Sequence, residues 1–188
     1  AADFNGTVVD LWLEFDDASD VMLNIYNFSD INLGTTYYQS FTGTGWNPNN
    51  AGIPFETEAL KFADSFISIG GDGGAQPSSN GTGVDPNFGG NQAAGPAANG
   101  GWYNSNPNVQ IGAVVETEYT QTGLGVFIGR FAIDGGSLDM AGSTGSATWN
   151  QGIGTDGSQG TFVVTDIPAP GALALLGLAG FAGRRRRA

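Results

Sequence analysis

The sequence predicts an all-β protein, a single β-sandwich or jelly-roll-like domain with a long Gly-rich loop and a short apolar C-terminal helix. Three observations carry that expectation. Apolar residues in the strongest segments recur with period two. The 188 residues include 32 glycines, which punctuate the chain with turns. No stretch before the C-terminal tail sustains a helical period. A hydrophobic content of 40%, with 12 Phe, 5 Tyr and 4 Trp, is enough for a core and sets the chain apart from disordered sequences.

The first strand is expected from Thr7 to Phe15, where Val9, Leu11, Leu13 and Phe15 share one face and Val8, Asp10, Trp12 and Glu14 the other. Asp16-Asp17-Ala18-Ser19-Asp20 supplies a turn, and Val21 to Phe28 resumes an apolar run, so the pair reads as an antiparallel hairpin. Further strands are expected at Thr36 to Thr42, Ala59 to Ile69, Val109 to Tyr119, Leu124 to Ile133, Ser137 to Met140, Ala147 to Trp149 and Thr161 to Thr165. Glu58 to Phe66 also reads as a short helix. The segment from Gly70 to Gly101 has only Val84 and Phe88 as large apolar residues and is expected to be a long excursion rather than a core strand. Eight or nine strands with Gly-rich turns point to a sandwich over residues 3–166, followed by a tail at 167–188.

Charge is segregated. Four of the six bases are Arg184, Arg185, Arg186 and Arg187, which leaves Lys61 and Arg130 against all 18 acids, a net −16 for the rest of the chain. Such a body repels phosphate backbones, and no nucleic-acid partner is expected. The absence of Cys and His removes thiol nucleophiles, Ser-His-Asp triads, disulfides and nearly every zinc or copper site. The start at Ala1-Ala2-Asp3, without Met, reads as a mature product from which a signal peptide has been removed.

The tail carries the most specific pattern. Pro168-Ala169-Pro170 precedes an apolar stretch from Gly171 to Gly183, which four arginines close. As a helix that stretch spans about 20 Å, short of a hydrocarbon core of about 30 Å. The apolar run with a basic end has the polarity of a stop sequence held at a membrane during export. Two other readings stay open: a buried C-terminal helix, and a segment packed in an assembly through Gly177, Gly180 and Gly183.

These tail residues resemble the PEP-CTERM sorting signal of Gram-negative bacteria, with Ala169 where Glu is usual. The resemblance implies export, an exosortase and the membrane as partners of the tail, and a place outside the cell or on its surface. The first strand, the Asp-rich turn and Asp64-Ser65-Phe66-Ile67-Ser68-Ile69-Gly70 resemble the bodies of PEP-CTERM proteins of planctomycete type, which implies an extracellular β-domain and assigns no chemistry.

Candidate sites are few. Glu56/Glu58 and Glu116/Glu118 have the spacing that puts two carboxylates on one strand face, but solvated strands carry such pairs routinely, and no catalytic residue is assigned. Asp16, Asp17 and Asp20 are the best candidates for Ca²⁺, whose ligands are oxygens. Trp46, Trp102 and Trp149, among Asn, Gly and Gln in expected loops, are candidates for stacking on sugar rings of an extracellular polysaccharide. Asn5, Asn27 and Asn80 each begin an Asn-x-Ser/Thr triplet, with Asn80 the most accessible if the loop reading holds. The function expected is a secreted, non-enzymatic structural protein of the cell surface or matrix, a homo-oligomer or polymer, with a surface carbohydrate-binding module as the alternative.

Overall fold

The computed structural model describes residues 4–39, 46, 57–71, 80–85, 99–106 and 110–166. The chain is almost all β, and its strands form two antiparallel sheets. The first sheet contains β1 (Gly6–Glu14), β7 (Leu124–Asp134), β3 (Phe66–Ile67) and β6 (Val115–Glu116). β1 lies along one side of β7, while β6 pairs with the start of its other side and β3 with the middle. The second sheet runs in the order β4 (Thr82–Val84), β5 (Gly100–Asn104), β2 (Val21–Ser29), β8 (Thr144–Asn150) and β9 (Ser158–Val163).

The expected hairpin of residues 7–15 and 21–28 does not form. β1 pairs with β7 and β2 pairs with β5 and β8, so the two segments belong to different sheets. The reason is that each has one strongly apolar face. In separate sheets Leu11 and Phe15 from the first and Met22, Ile25 and Phe28 from the second meet across the same core from opposite sides. The Asp-rich turn carries the chain across, closed by the Asp20 amide donating to the Asp17 carbonyl at 3.2 Å.

β7 is buried on both faces, and its pairing with β1 shifts register between Leu11 and Trp12. Ile128 is the extra residue of this bulge, because Leu11 faces Gly129 and Trp12 faces Phe127. The bulge sends Val126 and Phe131 into the core while Phe127 and Arg130 point to the outer face with Trp12 and Asp10. Arg130 is completely buried there. Its Nε and Nη2 donate to the two Asp10 carboxylate oxygens at 2.7 and 2.8 Å, Nη1 donates to the Phe62 carbonyl at 3.2 Å, and the guanidinium lies 4.2 Å from the Phe62 ring centre. A buried guanidinium is tolerable only with its charge and donors matched in this way.

The core is dominated by aromatic rings. Phe28 meets Trp102 edge-on at 5.3 Å and stacks near Phe131 at 6.0 Å, and Tyr37 and Trp46 close on Phe131 from the other side at 5.5 Å each. The Tyr37 hydroxyl donates to the carboxylate of Asp30, itself buried. Asp30 also accepts from the amide and the side chain of Asn32, at 2.8 and 3.2 Å.

Several expected strands are corrected. Residues 59–69 are not one strand: the short-helix reading of Glu58 to Phe66 holds over α1 (Glu58–Phe62), capped by Thr57 accepting from the Leu60 amide at 3.3 Å, and the brief strand β3 follows. Ser137 to Met140 is irregular, with Leu138 and Met140 buried in the core and the Met140 carbonyl accepting from the Ser143 amide at 3.1 Å. Of the described residues 110–119, β6 is strand and Ala113 makes an isolated bridge to Val21, and of 36–39 Thr36 makes a bridge, Val109 and residues 40–42 lying outside the described residues. The Gly-rich excursion holds β4 and opens β5, neither of which was expected. β5 begins Gly-Gly because its backbone lies against β2, and a Cβ on Gly101 would sit 2.7 Å from the Ile25 carbonyl oxygen. The tail helix expected after residue 166 lies outside the described residues.

Candidate functional site

β1 ends the first sheet and β9 ends the second, and a cleft of about 740 Å³ runs between them. Its lining includes Val9, Leu11, Leu13, Ile128, Met140, Phe162 and Val164. Strand alternation explains the two walls: Val9, Leu11 and Leu13 take every second position of β1, and Phe162 and Val164 do the same at the end of β9 while Val163 faces out, 61% exposed. Asp10, Glu14, Glu118, Asp139 and Asp166 also border the cleft, so its rim is acidic.

The two edges differ in chemistry. Just past β9 the Val164 amide donates to the Ser143 carbonyl at 2.8 Å, and the Val164 carbonyl accepts from the Gly142 amide at 2.9 Å. Alternation then turns the backbone groups of Thr161 and Val163 away from β8, where no described residue bonds to them. β9 contains no charged residue and no proline. β1 carries the carboxylates of Asp10 and Glu14, of which Glu14 accepts from the Gln121 amide at 2.9 Å, and these discourage its pairing with another acidic edge.

The residues singled out from sequence separate in space. Trp102, on β5, is fully buried with its indole N–H donating to the Ser68 carbonyl at 2.8 Å. Trp46 is 4% exposed and packs on Tyr37 and Phe131. Both rings are core, not loop aromatics open to a sugar, because strand β5 and the aromatic cluster draw them inward. Trp149 is half-buried on β8, its ring edge-on to Phe15 and over Gly160.

Asp17 accepts from the amide and hydroxyl of Ser19 at 2.8 and 2.7 Å, which hold its carboxyl below the usual carboxylate range. Asp20 is pushed up, first by burial and then by the charge of Asp17. Asp16 is exposed. Among the described residues no group of three or more acids gathers in a way that could hold a metal ion. Glu116 and Glu118 are both exposed, while Glu56 and the Glu58 side chain lie outside the described residues, as do Pro168, Pro170, Arg184, Arg185, Arg186 and Arg187.

Asn5 is exposed, and Asn27 is exposed in a left-handed conformation with φ 53° at an irregularity of β2. Asn80 is not the accessible residue that the loop reading suggests. Its amide donates to Ser68 Oγ and the Ile69 carbonyl at 2.9 and 3.0 Å, and its oxygen accepts from the Thr82 amide and hydroxyl at 3.1 and 2.7 Å. It clamps β4 beside the Ser68–Ile69 backbone, with every polar atom of the side chain in use.

Sequence reasoning missed the cleft. The inward-facing apolar residues of its walls were visible as alternation, but nothing local says that two such strands end their sheets on the same side. Fold and cleft define the class: an all-β, two-sheet sandwich with one open side. A scan against protein-family models finds no match, and searches of curated proteins and of solved structures find none.

Proposed function

We propose that this protein is a non-enzymatic structural subunit of a bacterial cell surface or extracellular matrix, assembling with copies of itself through its open side. The observation that carries the reading is the uncharged edge of β9 beside an apolar cleft. An exposed edge with free backbone donors and acceptors, lacking charge, proline or bulge, is a template for another strand. The occupant is β1 of a second copy. Two β1 edges would bring Asp10 and Glu14 against like charges, whereas β9 against β1 opposes an uncharged edge to an acidic one. Such a contact joins unlike surfaces and propagates as an open chain of subunits.

The location rests on the tail, whose Pro-x-Pro, apolar run and Arg184 to Arg187 resemble a PEP-CTERM signal read by an exosortase at the membrane. The lack of His and Cys supports a structural rather than a catalytic role. The test is sedimentation velocity with electron microscopy on the full chain and on a Thr161→Lys/Val163→Lys variant. The expected result is concentration-dependent polymers from the native chain and monomers from the variant. A native chain that stays monomeric, or polymers that ignore the two lysines, would overturn the proposal.

A further inference from the structure

A second concavity, of about 580 Å³, lies on the outer face of the first sheet beside the cleft, with which it shares Trp12, Glu118 and Tyr119. Trp12, which alternation turns away from the core, forms its floor with Phe127, the two rings meeting edge-on at 5.4 Å. Tyr119 stacks beside Trp12 at 5.4 Å and 30° while remaining 54% exposed, so the tyrosine offers a ring face that is backed and oriented but open to solvent. Val115, 45% exposed, adds apolar wall, and the exposed side chains of Glu116 and Glu118 supply the charge. The Trp12 indole N–H is buried with no acceptor among the described residues. A buried donor left without a partner is uncommon in a region with only a packing role.

We propose that this concavity binds a glycan bearing free amino groups, a polymer of amino-hexose units. The apolar face of a pyranose ring stacks on a fixed aromatic ring, and hydroxyls and ammonium groups are taken by carboxylates. Charge complementarity selects the amine over other sugars. The body carries a net −16, its two bases are Lys61 on α1 and the buried Arg130, and the cavity itself is lined by Glu116 and Glu118 with no base. An anionic polysaccharide would be repelled, and a neutral one would leave the carboxylates without a charged partner. The site gives a surface subunit a means of holding matrix polymer.

The experiment is titration calorimetry of the full chain with a glucosamine oligomer, its fully N-acetylated counterpart and an oligomer of uronic acids, repeated on Tyr119→Ala and Glu116→Gln/Glu118→Gln. Tyr119 is more than half exposed, so its loss leaves the fold intact, and the melting temperature checks this. The expected result is preference for the amine form and a loss of about tenfold or more on removing the Tyr119 ring. The double Gln variant is expected to bind the amine and acetylated forms alike. Equal binding of the amine oligomer by the native chain and Tyr119→Ala would reduce the effect to attraction by an acidic body and overturn the proposal. Binding of the uronic oligomer in preference, or no binding of any, would overturn it as well.

Discussion

Two buried charged residues show how single side chains fix this fold. Arg130 occurs where β7 would otherwise read as an uninterrupted apolar strand, and its guanidinium is neutralised by Asp10 from the neighbouring strand. The pair therefore pins β1 to β7 in one register, since a slip by one residue would carry Asp10 to the opposite face. Asp30 does similar work between segments. Its carboxylate accepts from Tyr37 and Asn32, and Asn32 in turn donates to the Asp139 carbonyl at 2.8 Å. Burial, and next the bond to Asp30, push the Tyr37 hydroxyl well above its ordinary pKa of about 10. Below that pH the tyrosine is protonated in both states and the bond contributes fully. Above it, the unfolded chain releases the proton while the folded chain keeps it, so stability falls as pH rises. Urea unfolding between pH 8 and 11, as an order-of-magnitude window around the ordinary value, should show this decline, with a shallower slope in Tyr37→Phe. Identical slopes would mean that Tyr37 does not couple folding to alkaline pH.

Among the elements, the strands that were easiest to read are long and alternate strictly, and those that were missed are short or interrupted. β1 was legible because four apolar residues occupy every second position from Val9 to Phe15. β7 was legible in extent but not in facing. Strict alternation puts Phe127 and Phe131 together, whereas the bulge at Ile128 separates them between the outer face and the core. β2 has inward residues at Met22, Ile25 and Phe28, three apart, because its ladders shift register twice. β5 could not be seen at all, since Gly100 and Gly101 carry no pattern and only contact with β2 explains Gly101. That explanation is testable: Gly101→Ala places a methyl group against the Ile25 carbonyl and should cost about 1–3 kcal/mol by parting β5 from β2. Chemical denaturation measures the loss. An unchanged midpoint would show that the two backbones can separate without penalty.

At the scale of the whole molecule, the described residues leave the β1 and β9 edges open beside the cleft, and the charge of residues 1–166 is nearly all of one sign. Association through β9 and β1 must bring bodies of net −16 together, which low ionic strength opposes. Polymer formation should therefore rise as NaCl increases from about 0.01 to 0.15 M, over which the screening length falls from about 30 to about 8 Å. Light scattering against salt concentration tests this, and assembly that weakens with salt would point to a contact held by opposite charges instead of strand pairing. Glycan binding should respond in the opposite sense, because it joins unlike charges.

What the sequence determined by itself is the class of structure. Period-two alternation, abundant glycine and the absence of helical periodicity are local properties, and local properties suffice to say all-β, because each strand must bury one face whatever its neighbours are. The sequence also set which chemistries lack their residues, through the missing Cys and His, and it placed Trp12 on the polar face of β1. Only the tertiary structure decided the rest. It sent β1 and β2 to different sheets, drew Trp46 and Trp102 into the core, made Asn80 a clamp, and brought Tyr119 beside Trp12 from more than a hundred positions away. Those outcomes depend on which strand lies beside which, and strand pairing is settled by the joint packing of two faces and the matching of buried polar groups, a property of pairs of segments that no single segment carries.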